Sequence, residues 1–213
     1  VALQLEQKHE EALEIYEKLL EEQPGREELL ANALMAAVAA KESGKVHALS
    51  LHLLGLRPGS IPALLALAAA CAEEQNFEDA RRWCSLLIEL EPASYDHWYN
   101  LGLCRLRTGD VAGAQEAFAG ALRLNSEGLE AWTGLARCAA ESDQPDLAME
   151  AWRAVVRLDP ENADAWFALG IVRHDAGELA GAAEAFERAA SLRPDWQAAW
   201  LNLGACRWAD GDG

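Results

Sequence analysis

Residues 163–194 read ADAWFALGIVRHDAGELAGAAEAFERAASLRP, and this stretch decides the fold. Trp166, Leu169, Gly170 and Arg173 stand at i, i+3, i+4 and i+7, one face of a helix. Asn162, just before it, is a good N-cap. Ala176-Gly177-Glu178 interrupts the pattern, with a glycine free to take the left-handed conformation that ends helices. Leu179 to Leu192 reads as a second helix with Ala182, Phe186 and Ala189 on its inner face, and Pro194 closes the unit. Two helices of about 14 residues, each about 21 Å long at 1.5 Å per residue, make a helical hairpin.

The same unit recurs along the chain. Pro24, Pro58, Pro92, Pro160 and Pro194 lie on one lattice of period 34, with Ser126 at the remaining point. Ala12, Val46, Ala80, Ala114, Ala148 and Ala182 form a second lattice, and Trp98, Trp132, Trp166 and Trp200 a third. A fixed period in this range is the signature of a solenoid, in which each unit contacts only its neighbours and the product is a surface.

Composition agrees and narrows the partners. Hydrophobic residues make up 51% of the 213, with alanine and leucine leading, which suits packed helices and argues against disorder. The formal charge of −17 repels nucleic-acid backbones and anionic membrane surfaces, so the chain is expected to bind neither. No apolar run of 18 or more residues is present, so no membrane insertion is expected. The cysteines number five, an odd count, and contain no C-x-x-C pair. Cys104, Cys138 and Cys206 fall on the 34 lattice and read as small buried residues, which suits a reducing compartment such as the cytoplasm. His9, His47, His52, His97 and His174 include no i, i+4 pair, and no phosphate loop or Gly-x-Ser-x-Gly elbow occurs. The sequence therefore predicts no metal, no cofactor and no catalytic constellation.

Trp166-x-x-Leu169-Gly170, followed by Ala182, Phe186, Ala189 and Pro194, resembles the tetratricopeptide repeat. Trp98/Leu101/Gly102/Ala114/Phe118/Ala121 and Trp132/Leu135/Ala136/Ala148/Trp152/Val155 repeat the pattern. The resemblance spans the chain as five units, 27–60, 61–94, 95–128, 129–162 and 163–196. Residues 1–26 would hold the second helix of a truncated repeat (about 9–22), and residues 197–213 the first helix of another (about 197–210). It implies an all-α, right-handed superhelical solenoid. Units 27–60 and 61–94 depart from the pattern. Leu30 and Leu64 replace tryptophan, Leu34 stands where the family has Gly or Ala, and Leu53 and Leu87 replace a small residue, so looser or differently angled packing is expected there.

The resemblance also implies a function. In this family the first helix of each unit lines a concave groove, at its second, fifth, sixth, ninth, twelfth and thirteenth positions. The expected peptide-binding residues are Asn32, Met35, Leu65, Tyr99, Asn100, Leu103, Arg107, Arg137, Phe167, Ile171, His174 and Asn202. Gly134 falls at a sixth position and is expected in the groove as well. Asn32, Asn100 and Asn202 share that position, where the similar arm of O-linked N-acetylglucosamine transferase carries a peptide-gripping Asn ladder. Ala66, Gly134 and Ala168 break the ladder here. Arg105, Arg173 and Arg207 recur at the eleventh position, where salt bridges are expected to hold them. Members that clamp a carboxylate carry Lys and Asn at the fifth and ninth positions, which Tyr99/Leu103 and Phe167/Ile171 occupy here, disfavouring that mode.

The resulting expectation is a non-catalytic scaffold for a protein or peptide partner. The alternatives are a substrate-recruiting arm of a larger modifying enzyme, such as a glycosyltransferase, and a self-associating structural solenoid. Trp200, Leu203 and Cys206 are expected on the side that a following helix would cover, and two such ends are expected to pack as a dimer.

Overall fold

The computed structural model describes residues 8–209 and 211, and among these the only regular structure is α-helix. Twelve helices follow one another: α1 (His9–Glu22), α2 (Glu27–Ala39), α3 (Ser43–Leu56), α4 (Ile61–Glu73), α5 (Phe77–Leu90), α6 (Tyr95–Arg107), α7 (Val111–Leu124), α8 (Leu129–Glu141), α9 (Pro145–Leu158), α10 (Ala163–Asp175), α11 (Leu179–Leu192) and α12 (Gln197–Ala209). None is long and apolar enough to cross a membrane. The expected last residue of α12, position 210, lies outside the described residues. Residues 1–108 and 109–213 form two compact units. Within the first, α1 to α6 each pack on the next helix; within the second, α7 to α12 do the same.

Three devices recur at the repeat period. The turn after each first helix contains one left-handed residue: Lys41 (φ 59°), Gln75 (61°), Gly109 (81°), Asp143 (53°), Gly177 (77°) and Gly211 (88°). A positive φ ends the helix, and glycine adopts it without the steric cost a side chain adds. Asn76 and Asp110 then accept a backbone N–H from Asp79 and Gly113, capping α5 and α7, while Asn162, between hairpins, accepts from Ala165 and caps α10. Between hairpins, the tryptophan lattice is tied to the proline lattice. The indole Nε1 of Trp98 donates to the Pro92 carbonyl at 2.9 Å. Trp132 donates to Ser126 at 2.9 Å, Trp166 to Pro160 at 2.9 Å and Trp200 to Pro194 at 3.0 Å. Each ring pins its own helix to the turn six residues before it.

The third device is an exchange of volume inside the hairpins. Gly170 on α10 faces Phe186 on α11 so closely that a Cβ there would lie 2.6 Å from the ring. The positions equivalent to this pair are Leu34/Ser50, Ala68/Cys84, Gly102/Phe118 and Ala136/Trp152. Leu34 stands opposite a shortened Ser50, and both are buried, at 2% and 0% exposure. The large residue has moved from the second helix to the first, and Leu34 is as buried there as Phe186 is in its own hairpin. Leu30, Leu53, Leu64 and Leu87 are buried as well. In the next repeat Ala68 and Cys84 are both small, and there the packing does open.

Two expectations are corrected. Leu203 and Cys206 do not await a covering helix, because they already pack with Ala182 and Phe186. Trp200, Leu201 and Trp208 are the large side chains of α12 that stay exposed. Gly134 is not on an open face, because a Cβ there would meet the buried ring of Phe118 at 2.6 Å.

Candidate functional site

Where Ala68 and Cys84 leave space, α4, α5 and α6 enclose a cavity of about 490 Å³. Leu65, Ala68, Ala69 and Ala72 come from α4; Phe77, Cys84 and Leu87 from α5; His97, Asn100, Leu103, Cys104 and Arg107 from α6. The size falls within the range of about 300–1,000 Å³ typical of ligand sites. Leu65 and Leu103 are 41% and 38% exposed and flank the mouth, whereas Cys84, Leu87, His97 and Cys104 are buried in the floor. His97 and Arg107 are ten residues apart on one helix, so the trough runs about 15 Å at 1.5 Å per residue.

Three polar features interrupt the apolar wall. His97 Nε2 lies 3.1 Å from Glu91 Oε2 and donates to that carboxylate. Its other nitrogen, Nδ1, is buried with no hydrogen-bond partner among the described residues. Arg107 places its guanidinium 5.8 Å from the centre of the Phe77 ring, a cation–π contact. The third feature is the floor thiols. A hydrogen bond shared with Cys104, together with burial, pushes the Cys84 thiol above its ordinary value, so it is protonated and not nucleophilic near neutrality. Burial likewise raises Cys71, Cys138 and Cys206.

Of the residues expected from sequence, Leu65, Asn100, Leu103 and Arg107 converge on this cavity. Asn32 and Met35 stand on α2 outside it; Met35 is 64% exposed and Asn32 half-buried. Tyr99 is half-buried and stacks on Tyr95, with ring centres 6.0 Å apart. In the second unit, Arg137 and Ile171 are exposed on α8 and α10, and His174 contacts Asp175 at 3.3 Å. Two others are half-buried and make contacts of their own. Phe167 stacks on Trp196 at 4.4 Å and meets Phe186 edge-on at 5.4 Å, so it packs against two core clusters. Asn202 donates its amide to the Ala198 carbonyl at 2.8 Å, so that donor is already used within α12. The eleventh-position arginines are held internally: Arg173 by Gly181 O and Glu178, Arg207 by Glu187.

Phe77, Cys84, Leu87 and His97 were not anticipated. Three of them lie on the second helix, which a reading confined to first helices passes over. The sequence signal was Cys84, a small residue where Phe118, Trp152 and Phe186 stand in later repeats.

The tetratricopeptide repeat family model matches residues 99–152 and 139–199. The same hairpin continues outside that span. Over residues 99–199 the chain is a tetratricopeptide-repeat array. Its fold is similar to that in the "Crystal structure of YrrB: a TPR protein with an unusual peptide-binding site" (TM-score 0.77, 21% identity, 89% of this chain and 98% of that one). It is also similar to a MamA structure (TM-score 0.69, 19% identity, 74% and 92%) and to MamA 41-end from Desulfovibrio magneticus RS-1 (TM-score 0.64, 23%, 70% and 84%). No curated protein sequence matches the chain significantly. At these identities the structural likeness establishes the fold, and tetratricopeptide proteins as a class serve protein interaction. Among the described residues of this one, no group of three or more His, Cys, Asp or Glu could hold a metal ion.

Proposed function

We propose that this tetratricopeptide protein is a non-catalytic scaffold that binds a peptide segment of a partner protein in the α4–α5–α6 trough. The observation that carries this reading is the cavity itself. Four residues chosen from the sequence for groove positions meet in one apolar trough, with two partly exposed leucines at its mouth. Exposure of apolar side chains alone would not support it, because Leu51, Leu86 and Leu90 on second helices are also exposed and line no part of this cavity. The recurrence of exposed Ile171 and Leu201 on α10 and α12 is consistent with further peptide contacts in the second unit.

The test is selection of binders from a displayed library of random dodecapeptides, followed by calorimetric titration of the enriched peptides. Leu65→Lys and Leu103→Lys should each abolish binding while leaving the helical content intact. Leu86→Lys, an equally exposed leucine outside the trough, should leave binding unchanged. Equal effects of all three would contradict the site. Sedimentation of the protein across a concentration series addresses self-association through the exposed Leu201 and Trp208, and a concentration-independent monomer would exclude it.

A further inference from the structure

We propose that the α4–α5–α6 cavity is a receptor for a phenyl ring, the side chain of a phenylalanine in the partner peptide. This rests on the peptide-binding reading and names the residue that anchors the peptide. Two other repeats of the chain carry such a ring of their own and show what surrounds it.

Phe118 on α7 and Phe186 on α11 are wholly buried, at 0% and 1% exposure. The Phe186 ring faces Gly170, meets Phe167 edge-on and clusters with Leu203 and Cys206 of the following helix. The Phe118 ring faces Gly134 of the helix that follows it. Counted along the repeat, these neighbours correspond to Ala68, Leu65, Leu101, Cys104 and Asn100, and the ring position itself to Cys84. Cys84, Ala68, Leu65, Cys104 and Asn100 all line the cavity, and Leu101 is buried. The cavity is therefore built on the shell that holds a ring elsewhere in the chain, around a cysteine where the ring would be attached.

A ring can enter this shell from outside, between the partly exposed Leu65 and Leu103. An apolar cavity of about 150 Å³ is enough for benzene. The space of about 490 Å³ thus takes a phenyl group together with the peptide segment that carries it. The floor that the ring meets is apolar and uncharged, because the Cys84 thiol is held protonated by burial and by its bond with Cys104. Ala68 and Asn100 do not exclude a ring: at the equivalent positions Ala136 shares its hairpin with Trp152, and Asn202 follows Phe186. The residues that take the place of Cys84 in later repeats are Phe118, Trp152 and Phe186, all aromatic. A phenyl ring also needs no hydrogen-bond partner there, whereas a buried indole or phenol does.

Titration with 4-fluorotoluene, read by fluorine NMR, tests the ring site without a peptide. Wild type should shift the probe saturably at one site. Cys84→Phe fills the space from α5, and Ala68→Leu fills it from α4 as Leu34 does in the first full repeat. Both variants should lose the probe while keeping their helical content, and Leu86→Lys should bind it as wild type does. Absence of a saturable shift with wild type, or a folded variant of either kind that keeps the probe, would overturn the inference. Peptides selected on wild type should be enriched in phenylalanine and should displace the probe. Replacing that phenylalanine by alanine should weaken binding about 10–100-fold, the effect of burying one large apolar side chain. Selected peptides that Leu65→Lys blocks but that carry no phenylalanine would overturn this inference while leaving the peptide-binding reading intact. Saturable probe binding with no peptide able to displace it would keep the ring site and overturn the peptide-binding reading.

Discussion

Exchanging the Gly170/Phe186 pair for leucine and alanine, close to the Leu34/Ser50 arrangement of the first full repeat, tests the volume rule inside the hairpins. Phe186 is 1% exposed, so Phe186→Ala removes a whole buried ring and should cost about 3–5 kcal/mol. Gly170→Leu alone places its Cβ 2.6 Å from the Phe186 ring, about 1 Å inside ordinary contact. Overpacking of this kind costs about 1–3 kcal/mol, offset by about 1 kcal/mol from removing a glycine inside a helix. Independent effects would therefore sum to about 3–7 kcal/mol. If the two helices share one block of volume, the leucine fills the space left by the ring. The double variant should then lose less than Phe186→Ala alone, with a favourable coupling of at least about 2 kcal/mol. Amide exchange in α10 and α11 is the suitable readout, because an array need not unfold in one step and exchange reports the hairpin directly. A double variant as unstable as the sum of the singles would refute the reasoning.

Three other outcomes follow from the same structure. Trp132→Phe removes the indole bond to the Ser126 carbonyl and should destabilise by about 0.5–1 kcal/mol; an unchanged thermal midpoint would deny the staple a role. Gln75→Gly relieves a non-glycine residue held at φ 61° and should stabilise by about 0.5–1 kcal/mol in urea denaturation, whereas a loss would show that the Gln75 side chain contributes there. Cys71, Cys138 and Cys206 have thiol pKa values raised by burial above the ordinary 9.0, so ionisation favours the unfolded chain. Their contribution is complete below about pH 9 and declines above it, and the urea midpoint should fall between pH 8 and pH 10; a midpoint that holds or rises would contradict this.

The repeat made the helices legible, because one period carried every boundary signal at once. Side-chain pairing was less visible. The tryptophan and proline lattices are each plain in the sequence, but the hydrogen bond joining them depends on the path of the turn between. The left-handed residue of each turn shows itself at Gly109 and Gly177 and is disguised at Lys41, Gln75 and Asp143, which hold the same positive φ without being glycine. Leu34 looked like a misfit because it was read without Ser50, sixteen residues on. Phe167 occupies a groove position by register, yet its ring turns onto Trp196 and Phe186, a choice that packing makes and spacing does not record. The trough was half legible: its walls follow from the first-helix pattern, but its existence depends on two small residues, Ala68 and Cys84, falling opposite one another.

That coincidence offers the most direct test of the site. Cys84→Phe installs the residue found at the equivalent positions 118 and 186 and should fill the trough from its floor. Calorimetric titration of a library-selected peptide into this variant, beside wild type and the mouth variant Leu103→Lys, is the decisive measurement. Cys84→Phe is predicted to keep its helical content and to lose the peptide as Leu103→Lys does. Undiminished peptide binding by both variants would contradict the claim that this trough is where the protein holds its partner.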